Sequence, residues 1–421
     1  MLTDNQISAL QNELIDIYSK MEIELIVSVA KRLSNYDEVS GSLNWELKKL
    51  SELNVLSKDL MKIIQKYTSK TNKAVENMLK KAMLGNVDKN YLDEAFKEGL
   101  AAINYKSLSK SPTFKRMLNT SIYELNNSLS MINSKAIETA KESYVKVLNK
   151  AYAEVATGTY SYSTAIQKSI KEMAKNGIKG ATYESGRSIG IEPAIRRDTL
   201  SALIHNVNQS TIVTAKEVGT NYVEVSEHLG ARVSTKSKIA NHAGWQGKVY
   251  MIEGSNDEYG NLVEETGYGD IEGLGGVNCR HRMFIYFPNI SVKKDSHIDK
   301  KRNAEVYKAS QQLRVYERDF RSNKKLWYAS KEIGDKDTKK KCESKSKKLL
   351  EKIKKIENEY PELRSNGNRT LVLEDVKLWI MKRYTYLDIK MVIYWNLKLI
   401  KVTNKDMKIE NQQQEKTLLK N

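Results

Sequence analysis

Apolar residues recur at three- and four-residue spacing from the start of the chain. Ile7, Leu10, Leu14, Ile17, Met21 and Leu25 form one stripe, with Thr3 or Asp4 placed to cap it. That period predicts a long amphipathic helix. Leu43, Leu47, Leu50 and Leu53 open a second stripe, continued by Leu60, Ile63, Ile64 and Tyr67 towards Met83, until Gly85-Asn86 breaks it. Ser111-Pro112 has the layout of an N-cap followed by proline at the first helical position, where proline has no intrahelical bond to lose. Beyond it one stripe runs from Ile122 through Leu125, Leu129, Ile132, Ala136, Ala140, Tyr144 and Val147 to Val155. Helices this long, polar on one side, must bury their stripes against partners, so residues 1–157 are expected to be a helical bundle or rod.

The texture changes after Gly158. Thr159-Tyr160-Ser161-Tyr162 leads into a helix holding Ile166, Ile170 and Met173 that stops at Asn176-Gly177, and Glu192-Pro193 opens another that ends near Gly219. Tyr222, Val223 and Val225 read as the first strand. They deliver the chain into a segment rich in glycine, Gly267 to Gly276, that ends in Asn278-Cys279-Arg280-His281. Glycine is used where the backbone needs positive φ or close approach, so this is a shaped loop within a small α+β domain, residues 158–291. Val306, Ala309, Leu313, Tyr316, Phe320 and Trp327 then keep coiled-coil-like spacing up to Gly334-Asp335. Leu349, Ile353 and Ile356 resume it on a return arm, which predicts a helical hairpin over 292–365. The tail, 366–421, mixes aromatics such as Trp379 and Trp395 with poor periodicity, and no role follows from it. The expected fold class is α+β, mostly α.

Charge is unevenly placed. The formal charge is +18, but residues 1–292 hold 36 Lys plus Arg against 33 Asp plus Glu, whereas 293–421 hold 34 against 19. The basic excess belongs to the hairpin and tail, where Lys324, Lys325, Lys339, Lys340, Lys341, Lys347 and Lys348 are the candidates for non-specific contact with DNA phosphates. Arg187, Arg196 and Arg197 are either a basic patch or a solvated helix face. Two cysteines exclude a disulfide framework and fit a reducing compartment. The first thirty residues lack the layout of a secretory signal, and no apolar run approaches a membrane span, so a soluble chain with no membrane partner is expected.

Three chemistries compete for the glycine-and-histidine segment, which holds three of the five histidines. Thiolate and imidazole suit zinc, with Cys279 and His281 as two ligands and His228 or His242 supplying others. No Cys-x2-Cys pair or His-Glu-x-x-His helix accompanies them, so no metal is assigned and zinc stays an option. Cys279 with a histidine base would be a nucleophile, although a free cysteine more often behaves as a small buried apolar side chain. The structural alternative has Trp245, Tyr250, Tyr268 and the Phe284–Phe287 segment packing a small sheet. Arg232, His242, Asn278, Arg280 and His281 then satisfy carbonyls of the irregular loops, around turns at Gly247 and Gly273. That architectural reading is preferred, with no catalytic residue. Its rival is a metal-dependent, nuclease-like enzyme using His228, His242, Cys279 and His281. Phosphate-loop chemistry is excluded, because Gly267 to Gly276 matches neither glycine pattern and leads into a strand rather than a helix.

The ordered motifs resemble those of the phage minor capsid protein 2 family, a branch of the MuF-like head morphogenesis proteins. They are Val225-Ser226-Glu227-His228-x-Gly230-Ala231-Arg232, His242-x-x-Trp245-Gln246-Gly247-Lys248-Val249-Tyr250, Thr266-Gly267-Tyr268-Gly269 through Gly276, and Asn278-Cys279-Arg280-His281. Upstream, Tyr183-x-Ser185-Gly186-Arg187 and Arg196-Arg197 belong to the same likeness, which covers most of residues 1 to about 365. The polar Ser234–Lys238 spacer and the region after about Arg369 depart from the pattern. The resemblance implies a non-enzymatic component of the phage head. Its expected partners are the portal protein, other head proteins and non-specific DNA, with no small-molecule substrate. Its expected places are the head interior of the virion and, during assembly, the host cytoplasm.

Overall fold

A computed structural model describes residue 6 and residues 9–34, 42–288, 291 and 298–363. The expected cap at Thr3 or Asp4 and the tail 366–421 lie outside the described residues. The first stripe becomes helix α1 (Asn12–Ser34). It buries more than a stripe, Leu14, Ile15, Tyr18, Met21, Leu25, Ile26 and Val29 among others, because helices pack on it from several sides. Helix α2 (Ser42–Asn86) is continuous, but the expected stripe does not face inward at Leu47 and Leu50. Leu47 and Leu50 are exposed, while Trp45 is buried against the rings of Tyr152 and Tyr162. The larger aromatic surface takes the inward position, and the buried face then runs through Leu56, Leu60, Ile64, Val75 and Leu79.

Short helices α3 (Lys89–Lys97) and α4 (Tyr105–Leu108) lead to the long helix α5 (Pro112–Ala156). Ser111 Oγ accepts the Phe114 N–H at 3.0 Å, with Pro112 in the first turn, as the Ser-Pro pair predicts. Helix α6 (Tyr162–Asn176) is capped by Ser161 and stops at Gly177. Strands β1 (Lys179–Thr182) and β2 (Ser188–Gly190) then form an antiparallel hairpin that periodicity had not announced.

Helix α7 (Ile191–Val218) lies at the centre, packed against α1, α2, α5 and the strand that follows the glycine loop. It has almost no amphipathic pattern. Thr199, Asn206, Asn208, Ser210, Thr211 and Thr214 are all buried on it, and Asn208 and Thr211 bond to backbone of the segment around Met283. Strands β3 (Tyr222–Val225), β4 (Val249–Met251) and β5 (Met283–Tyr286) make an antiparallel sheet in the order β4-β3-β5, with Val223 opposite Tyr250 and Ile285. One-turn helices α8 (His242–Trp245) and α9 (Leu262–Thr266) sit in the long β3–β4 and β4–β5 connections. Val223, Val225, Trp245, Tyr250, Leu262, Leu274, Cys279 and Met283 form this sheet's core.

The hairpin is α10 (Lys300–Glu332) and α11 (Lys336–Glu359), closed by a 3-10 turn at Pro361–Leu363. Val306, Leu313, Phe320 and Trp327 are buried as the spacing predicts. Contacts from α10 reach α1, α6 and α11, and Met1–Arg369 group as one compact unit. The expected divisions at 157/158 and 291/292 fall inside that unit. Among the described residues there are eleven α-helices and five short strands, so the chain is mostly α with a small β part. None of these helices is long and apolar enough to cross a membrane.

Candidate functional site

The glycine loop is shaped by close approaches. A Cβ on Gly273 would lie 2.0 Å from the Gly267 carbonyl oxygen, so only glycine lets these two stretches of backbone touch. Leu274 N–H bonds Thr266 O at 3.0 Å across the same contact, which folds the loop over the sheet's core. The exposed carbonyls that result are answered by side chains. Arg232 donates to Glu272 O at 3.3 Å and to Val277 O at 3.1 Å, and His242 Nε2 donates to Glu272 O at 2.8 Å. Trp245 Nε1 donates to Ile239 O at 2.9 Å, and Tyr268 Oη to Gln209 Oε1 at 3.1 Å. Gly247 turns at φ 68°, with its N–H on Val225 O. Asn278 adopts φ 60° and is exposed, so it serves the turn itself rather than a distant carbonyl.

Three of the sequence candidates converge. One ligand atom each from His242, Cys279 and His281 lies within 4.8 Å of the others, and all three residues are buried. Cys279 Sγ is 3.6 Å from His281 Nδ1, while His281 Nε2 is 2.9 Å from Gln246 Oε1. His228 stacks on His281 with ring centroids 4.4 Å apart, and Trp245 meets both His242 and His281 edge-on or tilted. Burial lowers the pKa of His242 to about 4, helped by Arg232 and His228 and opposed by its bond to Glu272. The same causes, burial first and neighbouring cationic groups next, hold His281 well below the usual imidazole range. Both rings are therefore neutral at pH 7. Burial also pushes the Cys279 thiol up, which leaves it protonated and a poor nucleophile.

His228, His242 and His281 reach the wall of a cleft of about 810 Å³ between the central domain and α10. Arg187, Arg196 and Arg197, which the sequence left as a patch or a helix face, line this cleft together with Arg232, Arg280, Arg314, Arg318 and Arg321. Only Glu317 and Glu362 among the lining residues are acidic. Two of the lysines proposed for DNA contact are corrected by their positions. Lys324 is buried, and Lys325 pairs with the buried Glu22 of α1, so neither presents a surface to DNA. Lys339 lies over the Trp327 ring and is half-buried, while Lys340, Lys341, Lys347 and Lys348 are exposed on α11.

The comparisons with known proteins agree with the motif pattern. Residues 2–357 match the family described as phage minor capsid protein 2. The chain belongs to that family. It is 24% identical over 352 residues to a structural protein of Lactococcus phage LL-H, covering 80% of this chain and 91% of that one. A structural protein of Lactococcus phage mv4 is 32% identical over 100 residues, 23% of this chain and 79% of the relative. No solved structure matches. In this minor capsid protein 2 family member, sequence reasoning missed the amides that hold the site in place. Gln246 accepts from His281 Nε2 and from the His228 N–H. Asn208 bridges His281 O and Met283 N, and Asn86, read only as a helix breaker, bonds Arg282 and Met283 O from the end of α2. Asn303 of α10 accepts from Gly230 and Ala231 N–H. Nothing local marked them: Asn303 follows Lys300-Lys301-Arg302 and Gln246 lies between Trp245 and Gly247, so only the fold decides what each amide faces.

Proposed function

We infer that this chain is a non-enzymatic, MuF-like component of the phage head. In this reading it stands with the portal protein and other head proteins in the procapsid and the virion, is assembled in the host cytoplasm, and holds packaged DNA through sequence-independent phosphate contacts. The family match supports the structural role. The DNA contact rests on one observation, the cleft lined by eight arginines and two carboxylates, although Arg196 and Arg321 also pair with Glu192 and Arg197 with Asp198. Guanidinium groups match phosphate oxygens bidentately, and a concave basic surface concentrates their field on an anionic strand. No base-reading motif accompanies them, so binding is indifferent to sequence. Exposed Leu47 and Leu50 on a long helix support docking to helical partners such as the portal.

The test has two arms. Mass spectrometry of purified heads and procapsids should find the polypeptide, and its absence from both removes the head assignment. Affinity for random-sequence duplex DNA should fall linearly with salt on logarithmic axes. Replacing cleft-lining Arg314 and Arg318 by alanine should flatten that slope by about 2. A slope that does not change moves the DNA contact out of the cleft. DNA cleavage that is lost in His242→Ala would replace the whole reading with a metal-dependent nuclease.

A further inference from the structure

We propose that His242, Cys279 and His281 bind one zinc ion through one nitrogen of each imidazole and the Cys279 thiolate, with the fourth position towards the arginine-lined cleft. The inference does not depend on the head assignment. Three features of the cluster carry it. The donors converge within 4.8 Å although they come from two separate connections of the sheet, α8 and the segment ahead of β5. Each imidazole has its outward nitrogen held by an oxygen. His242 Nε2 faces the Glu272 carbonyl at 2.8 Å and His281 Nε2 faces the Gln246 amide oxygen at 2.9 Å. A carbonyl oxygen only accepts, so the proton sits on Nε2 and the lone pair sits on Nδ1, the arrangement that second-sphere oxygens impose on metal-bound histidine. His281 Nδ1 in turn faces Cys279 Sγ at 3.6 Å, so the lone pair and the sulfur point into one space.

The donor set decides the ion. One thiolate and two imidazoles suit zinc, whereas magnesium and calcium ask for oxygen ligands. Three protein ligands leave one tetrahedral position, and His242 and His281 both line the cleft from which an ion or water would enter. Binding replaces the S–H bond of Cys279 by a Zn–S bond and releases that proton to solvent, with no change of oxidation state. The ion would tie the α8 turn to the start of β5 and so brace the wall of the cleft.

The full-length, untagged protein, stripped with a chelator, is titrated with cobalt(II) and then with zinc. One equivalent of cobalt should bind, giving tetrahedral d–d bands and a near-ultraviolet thiolate-to-cobalt band that zinc abolishes. Cys279→Ser should lose the charge-transfer band, and Cys342→Ser, which alters the other cysteine on α11, should keep it. His242→Gln, which retains a donor for Glu272, should weaken binding by more than about tenfold while circular dichroism stays unchanged. The proposal is overturned if the wild-type protein takes up no stoichiometric metal at micromolar concentration, or if the charge-transfer band survives in folded Cys279→Ser. If both cluster variants unfold, the wild-type titration decides alone.

Discussion

Two of the polar clusters buried among the described residues are kept inside by opposite means. Under the cleft, His242, His281 and Cys279 are neutral and are answered by neutral oxygens of Glu272 and Gln246. Where α10 crosses α1 and α7, Glu22, Glu192, Arg196, Arg321, Lys324 and Lys325 meet as charges. Glu192 pairs with Arg196 at 2.7 Å and Arg321 at 3.5 Å, and Glu22 takes both Lys325 and the Ile178 N–H. Burial pushes the Glu192 carboxyl up, but Arg321 and Arg196 outweigh it and hold the group below the usual carboxylate range. A titratable side chain without an opposite charge surrenders its charge on burial, and one with a partner keeps it. The first cluster shapes a loop. The second fastens the basic hairpin to the helical bundle.

Removing one charge from the second cluster should have the largest effect. Glu192→Ala leaves Arg196 and Arg321 facing each other in a site that is almost fully enclosed, and breaking a buried pair in this way costs about 3–5 kcal/mol. Thermal unfolding followed by circular dichroism should shift down by roughly 5 °C. Glu192→Gln, which keeps the hydrogen bonds, should lie between the two. A loss under about 1 kcal/mol would mean that solvent, not pairing, carries these charges.

Lys324 tests the same cluster from the other side. Burial pulls its pKa down to about 8, against Glu192, Asp16 and Glu22, which raise it. The folded value lies below the unfolded one, so the ammonium costs stability at neutral pH, and that cost disappears as pH rises through 8 towards the unfolded value. Lys324→Met should therefore stabilise the protein at pH 7 by up to about 3 kcal/mol, and the gap to wild type should close by about pH 10. Denaturant melts at a series of pH values read this directly. A gap independent of pH would show that the ammonium is not desolvated.

The lysines also show where the sequence stops being legible. Helices α1, α5, α6, α10 and α11 could be read from their stripes and caps, because one packed face repeats every 3.6 residues and Ser111 or Ser161 marks the start. A run of lysines carries no such mark. Lys324 and Lys325 meet carboxylates on α1 some three hundred residues away, and nothing local distinguishes them from Lys347. Helix α7 was placed, but its buried Asn208 and Thr211 were not, since a helix packed on every side has no period to read. The β1–β2 hairpin escaped because strands of four and three residues are too short to alternate. For the site, residue types pointed to His242, Cys279 and His281. Their convergence depends on a fold that brings position 242 beside 279 and 281, with Gln246 bridging them.

Gln246 is where the neutral cluster can be broken without touching a charge. Its Oε1 accepts from His281 Nε2 at 2.9 Å and from the His228 N–H at 3.1 Å, and it is buried. Gln246→Ala strands a buried imidazole N–H and a part-buried backbone donor, at about 1–3 kcal/mol for the unsatisfied groups. The loss should not change between low and high salt, because no ion pair is involved, whereas the loss in Glu192→Ala should shrink modestly, since salt reaches the part-exposed Arg196 and Arg321 guanidinium groups only in part. Gln246→Glu sharpens the contrast. It keeps an acceptor that neutral His281 Nε2–H and the His228 N–H can still reach, but adds a buried charge beside two imidazoles, which is offset only if His281 becomes cationic inside the protein. Equilibrium unfolding at two salt concentrations separates the cases. Salt-dependent destabilisation in Gln246→Ala would show that the cluster under the cleft is held by charge after all, and the distinction between the two buried sites would fail.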